Sequence, residues 1–333
     1  MKEIQFQEHF IKTNGVRYFI KTAGNKSAPL ILFLHGFPDS WYSWRHQLTA
    51  MGEAGYYAVA PDMLGCGATD APIEIERYSQ DEMAKDIVGL ITALGKEQAI
   101  IVGHDLGASL TWQICLLYPE KVKAVVALSI PYGGRALAKP IPHMKKVFGD
   151  KFFYILYFQE PGVAEKELDA DIYDSLFRIY FSLGADGSEI AAQYVANDNP
   201  ISAENYLDTT IRPEKLPAWL SETDLDYYVS RYKKEGFRGI LNWYRCLDIY
   251  WERTEHLTGK KISRPTYFIA GKNDPINYMV RKAIKRLPTV VEDLRSVEFF
   301  EDCGHWIACE QTELLNEKLL NFIGSLDLLS EQH

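Results

Sequence analysis

Five short apolar runs constrain what this chain can fold into more than any other feature. Leu30–Leu34, Tyr56–Pro61, Ala99–Val102, Val122–Ile130 and Thr266–Ala270 are nearly continuous rather than alternating. A strand covered on both faces has that pattern, which is the mark of an interior parallel sheet. Helical segments separate the first four. Trp41–Met51 is aromatic-rich and reads as helix. Ser79-Gln80-Asp81-Glu82 reads as a capping box, with Met83, Ile87, Leu90, Ile91 and Leu94 on one face behind it and Gly95 as the stop. Ala108–Leu117 reads as the next helix. Short loops in a βαβα rhythm predict a doubly wound, mostly parallel α/β sheet. Ahead of it, Glu8–Thr13 and Val16–Thr22 alternate around Asn14-Gly15, a strong hairpin signal.

The rhythm breaks at Pro131. From there to about Lys261 the segments are mostly helical, rich in aromatics and punctuated by Pro140, Pro142, Pro161, Pro200, Pro213 and Pro217. It resumes at Pro265, and Tyr278–Leu287 reads as a basic helix, Val297–Phe300 as a last short strand and Glu310–Ile323 as a closing amphipathic helix. A helical block set between two strands of one sheet is a lid. The expected organisation is a core of residues 1–132 and 262–333, with residues 133–261 as a helical lid or cap inserted in it.

Composition narrows the function. A net charge of −9 with no run of Lys or Arg disfavours nucleic acid and anionic membrane surfaces. Five cysteines (66, 115, 246, 303 and 309) form no C-x-x-C and no zinc spacing, so free thiols in a reducing compartment are expected. Met1-Lys2-Glu3-Ile4-Gln5 opens no secretory h-region, and no apolar stretch is long enough to span a bilayer. The expectation is a soluble, cytoplasmic protein, as monomer or homodimer.

In open parallel sheets, ligands bind at the carboxyl ends of the strands. Four such ends carry reactive or specially shaped residues: His35-Gly36-Phe37-Pro38, Asp105, Gly271-Lys272-Asn273-Asp274 and Cys303-Gly304-His305-Trp306. Gly103-His104-Asp105-Leu106-Gly107 follows a strand and opens a helix, with glycines placed as a sharp elbow requires. It is the G-x-nucleophile-x-G pattern with Asp in the position where serine hydrolases place Ser. Taken singly, Asp105 could be the N-cap of the helix behind it, Asp274 could cap its own helix, and His305 is one of eight histidines. Together they stand behind expected strands in the order nucleophile, acid, base.

With the elbow in place, the chain resembles epoxide hydrolases of the α/β-hydrolase fold, the group related to soluble epoxide hydrolases. The matching residues are His35-Gly36-Phe37-Pro38, Gly103-His104-Asp105-Leu106-Gly107, Tyr157-Phe158-Gln159-Glu160-Pro161-Gly162, Gly236-Phe237-Arg238-Gly239, Asn242-Trp243-Tyr244-Arg245 and Gly304-His305-Trp306. They cover nearly the whole chain. The lid motifs are the specific ones, since the elbow and His-Gly-Phe-Pro are shared with related dehalogenases. The resemblance implies Asp105 as nucleophile and His305 as base, oriented by Asp274. Tyr154 and Tyr244 would hold the epoxide oxygen, with Tyr157 the competitor for the first place. Backbone N–H groups of Phe37 and Leu106 would form an oxyanion hole, and Phe37, Pro38, Leu106, Tyr157, Phe158, Trp243 and Trp306 the substrate pocket. Among 20 tyrosines, only motif position singles out these two.

The implied reaction opens a small, largely apolar epoxide to a vicinal diol through an ester on Asp105, which water activated by a neutral His305 then hydrolyses, with no metal or organic cofactor. Two departures stand out. Many relatives have Trp directly after the nucleophile, where this chain has Leu106, and often Arg where it has Leu64. Leu106 leaves a backbone donor role intact and makes one pocket wall smaller. Two alternatives remain open: a haloalkane or haloacid dehalogenase using the same Asp, and a non-catalytic ligand receptor on the same scaffold.

Overall fold

Asn14 and Gly15 both adopt positive φ, 47° and 84°, and close strands β1 (Gln7–Thr13) and β2 (Val16–Gly24) into the expected hairpin. The computed structural model describes residues 5–188 and 203–326; the start of the chain (1–4), the segment 189–202 that holds Pro200, and 327–333 lie outside them. Beyond the hairpin come β3 (Leu30–Leu34), α1 (Arg45–Glu53), β4 (Tyr57–Pro61), α2 (Gln80–Ala93), β5 (Ala99–His104), α3 (Leu106–Leu117) and β6 (Val122–Leu128). The eight-stranded sheet runs β1-β2-β4-β3-β5-β6, then β7 (Thr266–Gly271) and β8 (Leu294–Phe300). Pairing is antiparallel between β1 and β2 and between β2 and β4, and parallel from there on.

Every residue of β3, β4, β5 and β7 is buried, which explains their unbroken apolar runs. The two faces are nonetheless sorted by the period of two. Ile31 and Phe33 pack with Leu48 and Met51 of α1, and with Leu315, Leu319 and Ile323 of the C-terminal helix. Leu30, Leu32 and Leu34 pack with Met83, Ile87 and Leu90 of α2 and Trp112 of α3.

Between β6 and β7 run α4 (Pro140–Phe148), α5 (Tyr154–Tyr157), α6 (Val163–Leu168), α7 (Ile172–Leu183), α8 (Glu222–Tyr232), α9 (Arg238–Arg245) and α10 (Leu247–Arg253), with no strand among the described residues. Their apolar faces, including Leu176, Ile179, Leu225 and Ile240, merge into the same cluster as α2 and α3. Polar ties fix the block to the sheet. Tyr180 Oη donates to Pro38 O at 2.8 Å, Trp243 Nε1 to Leu64 O at 3.0 Å, and Arg231 pairs with buried Asp62 at 2.6 Å.

Three local expectations change. The capping box does not form: the Ser79 hydroxyl donates to Asp81, and Glu82 pairs with Lys85 at 2.6 Å, so each half has a charge-assisted partner instead. Helix α3 begins at Leu106, directly behind the elbow. The closing helix is split at Gln311, with φ −130°, into α12 (Ile307–Glu310) and α13 (Thr312–Gly324), and α11 (Ile276–Val290) precedes β8. The split follows from Glu310, whose carboxylate turns back onto the loop before α12. All five cysteines are free thiols, and no helix among the described residues is long and apolar enough to cross a membrane.

The densest polar tie lies within the helical block. Arg245, its side chain 3% exposed, donates to both oxygens of Glu165 at 2.7 and 2.9 Å, to Asn242 at 2.8 Å and to Phe158 O at 2.9 Å. Removing one partner leaves a buried charge uncompensated. Arg245→Met is therefore expected to lower the unfolding free energy by about 3–5 kcal/mol in urea titrations. Joint replacement with Glu165→Leu should recover most of the loss.

Candidate active site

The elbow is strained, and the reason is packing around Asp105. Its φ of 52° turns the backbone sharply between β5 and α3. A Cβ on Gly36 would lie 2.4 Å from Asp105 Oδ1, and one on Gly107 2.2 Å from Leu34 O, so both positions need hydrogen. Asp105 stands where an N-cap would, but its side chain caps nothing in α3. Its Oδ1 instead accepts from Phe37 N at 2.9 Å, and the Leu106 N–H also stabilises the charge. Burial pushes the carboxyl above the ordinary aspartate range, while His305 and these two N–H groups pull it back.

His305 stands opposite. Nδ1 lies 2.9 Å from Asp274 Oδ2 and Nε2 lies 3.7 Å from Asp105 Oδ2. Asp274 is itself anchored by Ile276 N, 2.9 Å from Oδ1. The three residues thus converge from β5, from the end of β7 and from the loop after β8. Burial alone would push the imidazole pKa down, but Asp274 and then Asp105 outweigh it and raise the value to about 9. In the free site the two carboxylates thus favour the protonated imidazole.

Across from Asp105 the helical block presents aromatic rings. Tyr154 and Tyr244 meet edge to face, with centroids 6.0 Å apart, and Phe37 lies 5.8 Å from Tyr244 and 5.8 Å from Phe158. Burial raises both phenols well above the ordinary tyrosine range, and the Asp105 charge raises them further, so both stay protonated. No protein group among the described residues takes either hydroxyl. Tyr157 behaves differently: its hydroxyl donates to Asn205 at 3.3 Å, and burial and then Glu167, with no part played by Asp105, raise its pKa. Of the expected pocket residues, Phe37 and Phe158 pack on the two tyrosines, and Leu106 brings its N–H to Asp105. Tyr157 turns toward Asn205, Trp243 is committed to Leu64, and Pro38 to Tyr180. Trp306 flanks His305, with centroids 4.8 Å apart, and donates to Tyr180 O at 2.8 Å.

Four residues of this region escape a sequence reading. Glu310 accepts from Gly304 N, Trp306 N and Ala185 N at 2.8–2.9 Å, clamping the His305 loop to the end of α7. His104, pushed by burial well below the ordinary histidine range, places Nε2 2.8 Å from His305 O. Asp39, raised by burial to about 7, accepts from Ser40 N and Ser43. Tyr206, 6.4 Å from Phe37 and 6.0 Å from Tyr154, is a third phenol that feels the Asp105 charge. Asp39 alone carried a signal, as the residue after His35-Gly36-Phe37-Pro38.

This arrangement has close counterparts. The alpha/beta hydrolase fold family matches residues 29–311. Epoxide hydrolase A of Mycobacterium tuberculosis is 40% identical over 321 residues, spanning 96% of this chain and 98% of the relative. Epoxide hydrolase 1 of Siraitia grosvenorii is 37% identical over 318 residues, spanning 94% and 96%. The crystal structure of Epoxide Hydrolase A from Mycobacterium thermoresistibile matches with a TM-score of 0.89 at 40% identity, covering 96% of this chain and 98% of that one. An epoxide hydrolase from an endophytic Streptomyces reaches 0.91 at 34% identity, covering 98% and 97%. The identity and coverage are those of common membership: the chain belongs to the epoxide hydrolases of the α/β-hydrolase fold.

Proposed function

We propose that this protein hydrolyses epoxides to vicinal diols through a covalent ester on Asp105, with residues 133–261 acting as the lid over the reaction. One observation carries the reading. A carboxylate held by Phe37 N–H has, on its open side, two protonated phenols with unengaged hydroxyls and an imidazole 3.7 Å away. A serine nucleophile would need its proton removed, whereas an ionised Asp105 attacks as it stands.

Asp105 Oδ2 is the free oxygen, because Oδ1 is engaged by Phe37. It attacks an epoxide carbon, the C–O bond breaks, and Tyr154 and Tyr244 donate to the departing oxygen. Esterification removes the Asp105 charge. The proton on His305 then loses one of the two carboxylates that held it and passes, by way of solvent, to the alkoxide held by Tyr154 and Tyr244, which leaves a hydroxyl on the ester and a neutral imidazole available as a base. It takes a proton from water, the hydroxide adds to the Asp105 carbonyl carbon, and the Phe37 and Leu106 N–H groups hold the oxyanion. Collapse breaks the acyl C–O bond, the leaving alkoxide takes the proton from His305 to complete the diol, and the Asp105 carboxyl passes its own proton to the imidazole, which restores the starting pair. Dehalogenation has less support, since Leu106 offers no side-chain donor to a halide.

His305→Ala is expected to accumulate protein heavier by one whole epoxide after treatment with styrene oxide, with the modification on Asp105. Asp105→Ala should show neither adduct nor diol. An adduct elsewhere, halide release from haloalkanes without diol formation, or an inert protein would sink the reading.

Tyr154→Phe and Tyr244→Phe should each slow ester formation by roughly 10²–10³-fold, the usual loss for a donor aimed at developing charge. Tyr157→Phe should change it little. Stopped-flow measurement of the first half-reaction separates these cases.

The decay of the ester is expected to slow as pH falls, with an apparent pKa below the free-site value of about 9. The sign follows from the neutral imidazole being the active form and from the lost Asp105 charge favouring that form. A single-turnover decay rate that is flat across this range would rule out His305 as the base.

A further inference from the structure

Tyr206 is a third phenol at the reaction centre, and the chemistry proposed for Tyr154 and Tyr244 leaves it without a task. The residue is 8% exposed and stands directly before the short turn Leu207–Thr209. Its ring packs 5.1 Å from Phe158, 6.0 Å from Tyr154 and 6.4 Å from Phe37, centroid to centroid. The same three rings surround Tyr244. Two charged side chains fix the backbone there. Glu167 of α6 accepts from Tyr206 N at 3.1 Å and from Leu207 N at 2.7 Å. Arg178 of α7 donates to Leu207 O and, at 3.0 Å, to the Thr210 hydroxyl.

Its hydroxyl is unengaged. No side chain or carbonyl among the described residues takes it, yet it is not sealed into the core: it borders open space, as the hydroxyls of Tyr154 and Tyr244 do. Burial and the Asp105 charge raise Tyr206 above the ordinary tyrosine range, and Tyr206 in turn raises Tyr154 and Tyr244. All three are therefore protonated donors around one centre. An oxirane oxygen has two lone pairs, and Tyr154 and Tyr244 fill both. The third O–H has no place on that atom, and its position among aromatic rings favours a ligand that brings another acceptor. With the Tyr154 and Tyr206 rings 6.0 Å apart, that acceptor lies close to the oxirane.

We propose that Tyr206 is a specificity-determining residue whose hydroxyl donates to a second oxygen of the substrate, an ether or alcohol oxygen on the carbon next to the oxirane. The proposal rests on the epoxide-hydrolase reading and specifies its substrate class: glycidyl-type epoxides are preferred to their hydrocarbon isosteres. The bond is present before and during ring opening alike, so it adds to binding and leaves the rate of the bound complex unchanged. Tyr154 and Tyr244 differ, since their bonds strengthen as the ring oxygen gains charge.

The test compares each oxygen-bearing epoxide with its carbon isostere, in the full chain: glycidyl methyl ether with 1,2-epoxypentane, and phenyl glycidyl ether with 4-phenyl-1,2-epoxybutane. Tyr206→Phe keeps the ring and removes only the hydroxyl. It should lower the ether-to-isostere ratio of kcat/KM about fivefold, the usual net worth of a neutral hydrogen bond. Because the ratio is taken within each protein, neither the intrinsic reactivity of an epoxide nor a general loss of folding imitates the result. Stopped-flow saturation of ester formation gives a second readout. With the ethers, Tyr206→Phe should raise the dissociation constant about fivefold and leave the saturated rate unaltered. An unchanged ratio overturns the proposal and makes Tyr206 part of the aromatic wall alone. A fall in the saturated rate shared by the isosteres also overturns it, since Tyr206 would then be a third donor to the departing oxygen. So does a slower decay of the ester with every substrate, the mark of a support for water. If the unaltered protein forms no diol from these four epoxides or from styrene oxide, the epoxide-hydrolase reading has failed and the proposal falls with it.

Discussion

A buried carboxylate at the tip of a sharp turn is costly, and much of this structure is arranged around keeping that charge. Asp105 loses hydration on burial, which on its own would favour the neutral acid. Phe37 N–H, Leu106 N–H and the His305 cation restore what water would have supplied. None of these donors is movable at will: the first belongs to the loop after β3, the second to the first residue of α3, and the third to the loop after β8. The glycines at 36 and 107 follow from the same requirement, because any side chain there would occupy the carboxylate or the β3 backbone. Parallel strands β3, β5, β7 and β8 end on one edge of the sheet, so the donors arrive together without any long loop.

The same charge organises the helical block above it. Tyr154, Tyr206 and Tyr244 all feel Asp105 and are all held protonated. Aromatic contacts set their positions, with Phe37 and Phe158 as the shared neighbours. Arg245 then ties α9 to α6 and to the Phe158 carbonyl, so the residue next to Tyr244 also holds the rings beside it. The end of α7 meets the His305 loop directly: His305 N donates to Leu183 O at 2.9 Å, and Glu310 bridges Ala185 to Gly304 and Trp306. The His305 loop and the helical block therefore share a support.

Much of the fold was legible because it rests on local rules. Continuous apolar runs marked the interior strands, Asn14-Gly15 marked the hairpin, and the order of strand-end residues brought Asp105, Asp274 and His305 to one place. The misses have specific causes. Ser79 has the pattern of a capping box, but Asp81 and Lys85 offered stronger charged partners. The closing helix breaks at Gln311 because Glu310 is drawn back by three backbone N–H groups, two of them just upstream and one far away in the chain. Tyr206 was one tyrosine among 20. Only its packing on Phe37 and Tyr154 separates it from the rest.

Sequence alone therefore determined the layered architecture, the elbow and the strand-end residues that meet there, since these depend on short-range periodicity, turn chemistry and motif spacing. Tertiary structure decided the electrostatics. Whether Asp105 caps a helix or faces the phenols, how His305 is held between two carboxylates, and which tyrosines feel Asp105 depend on groups more than 30 residues apart. Burial and Coulomb interactions act through space, and no local pattern encodes the distances that set them.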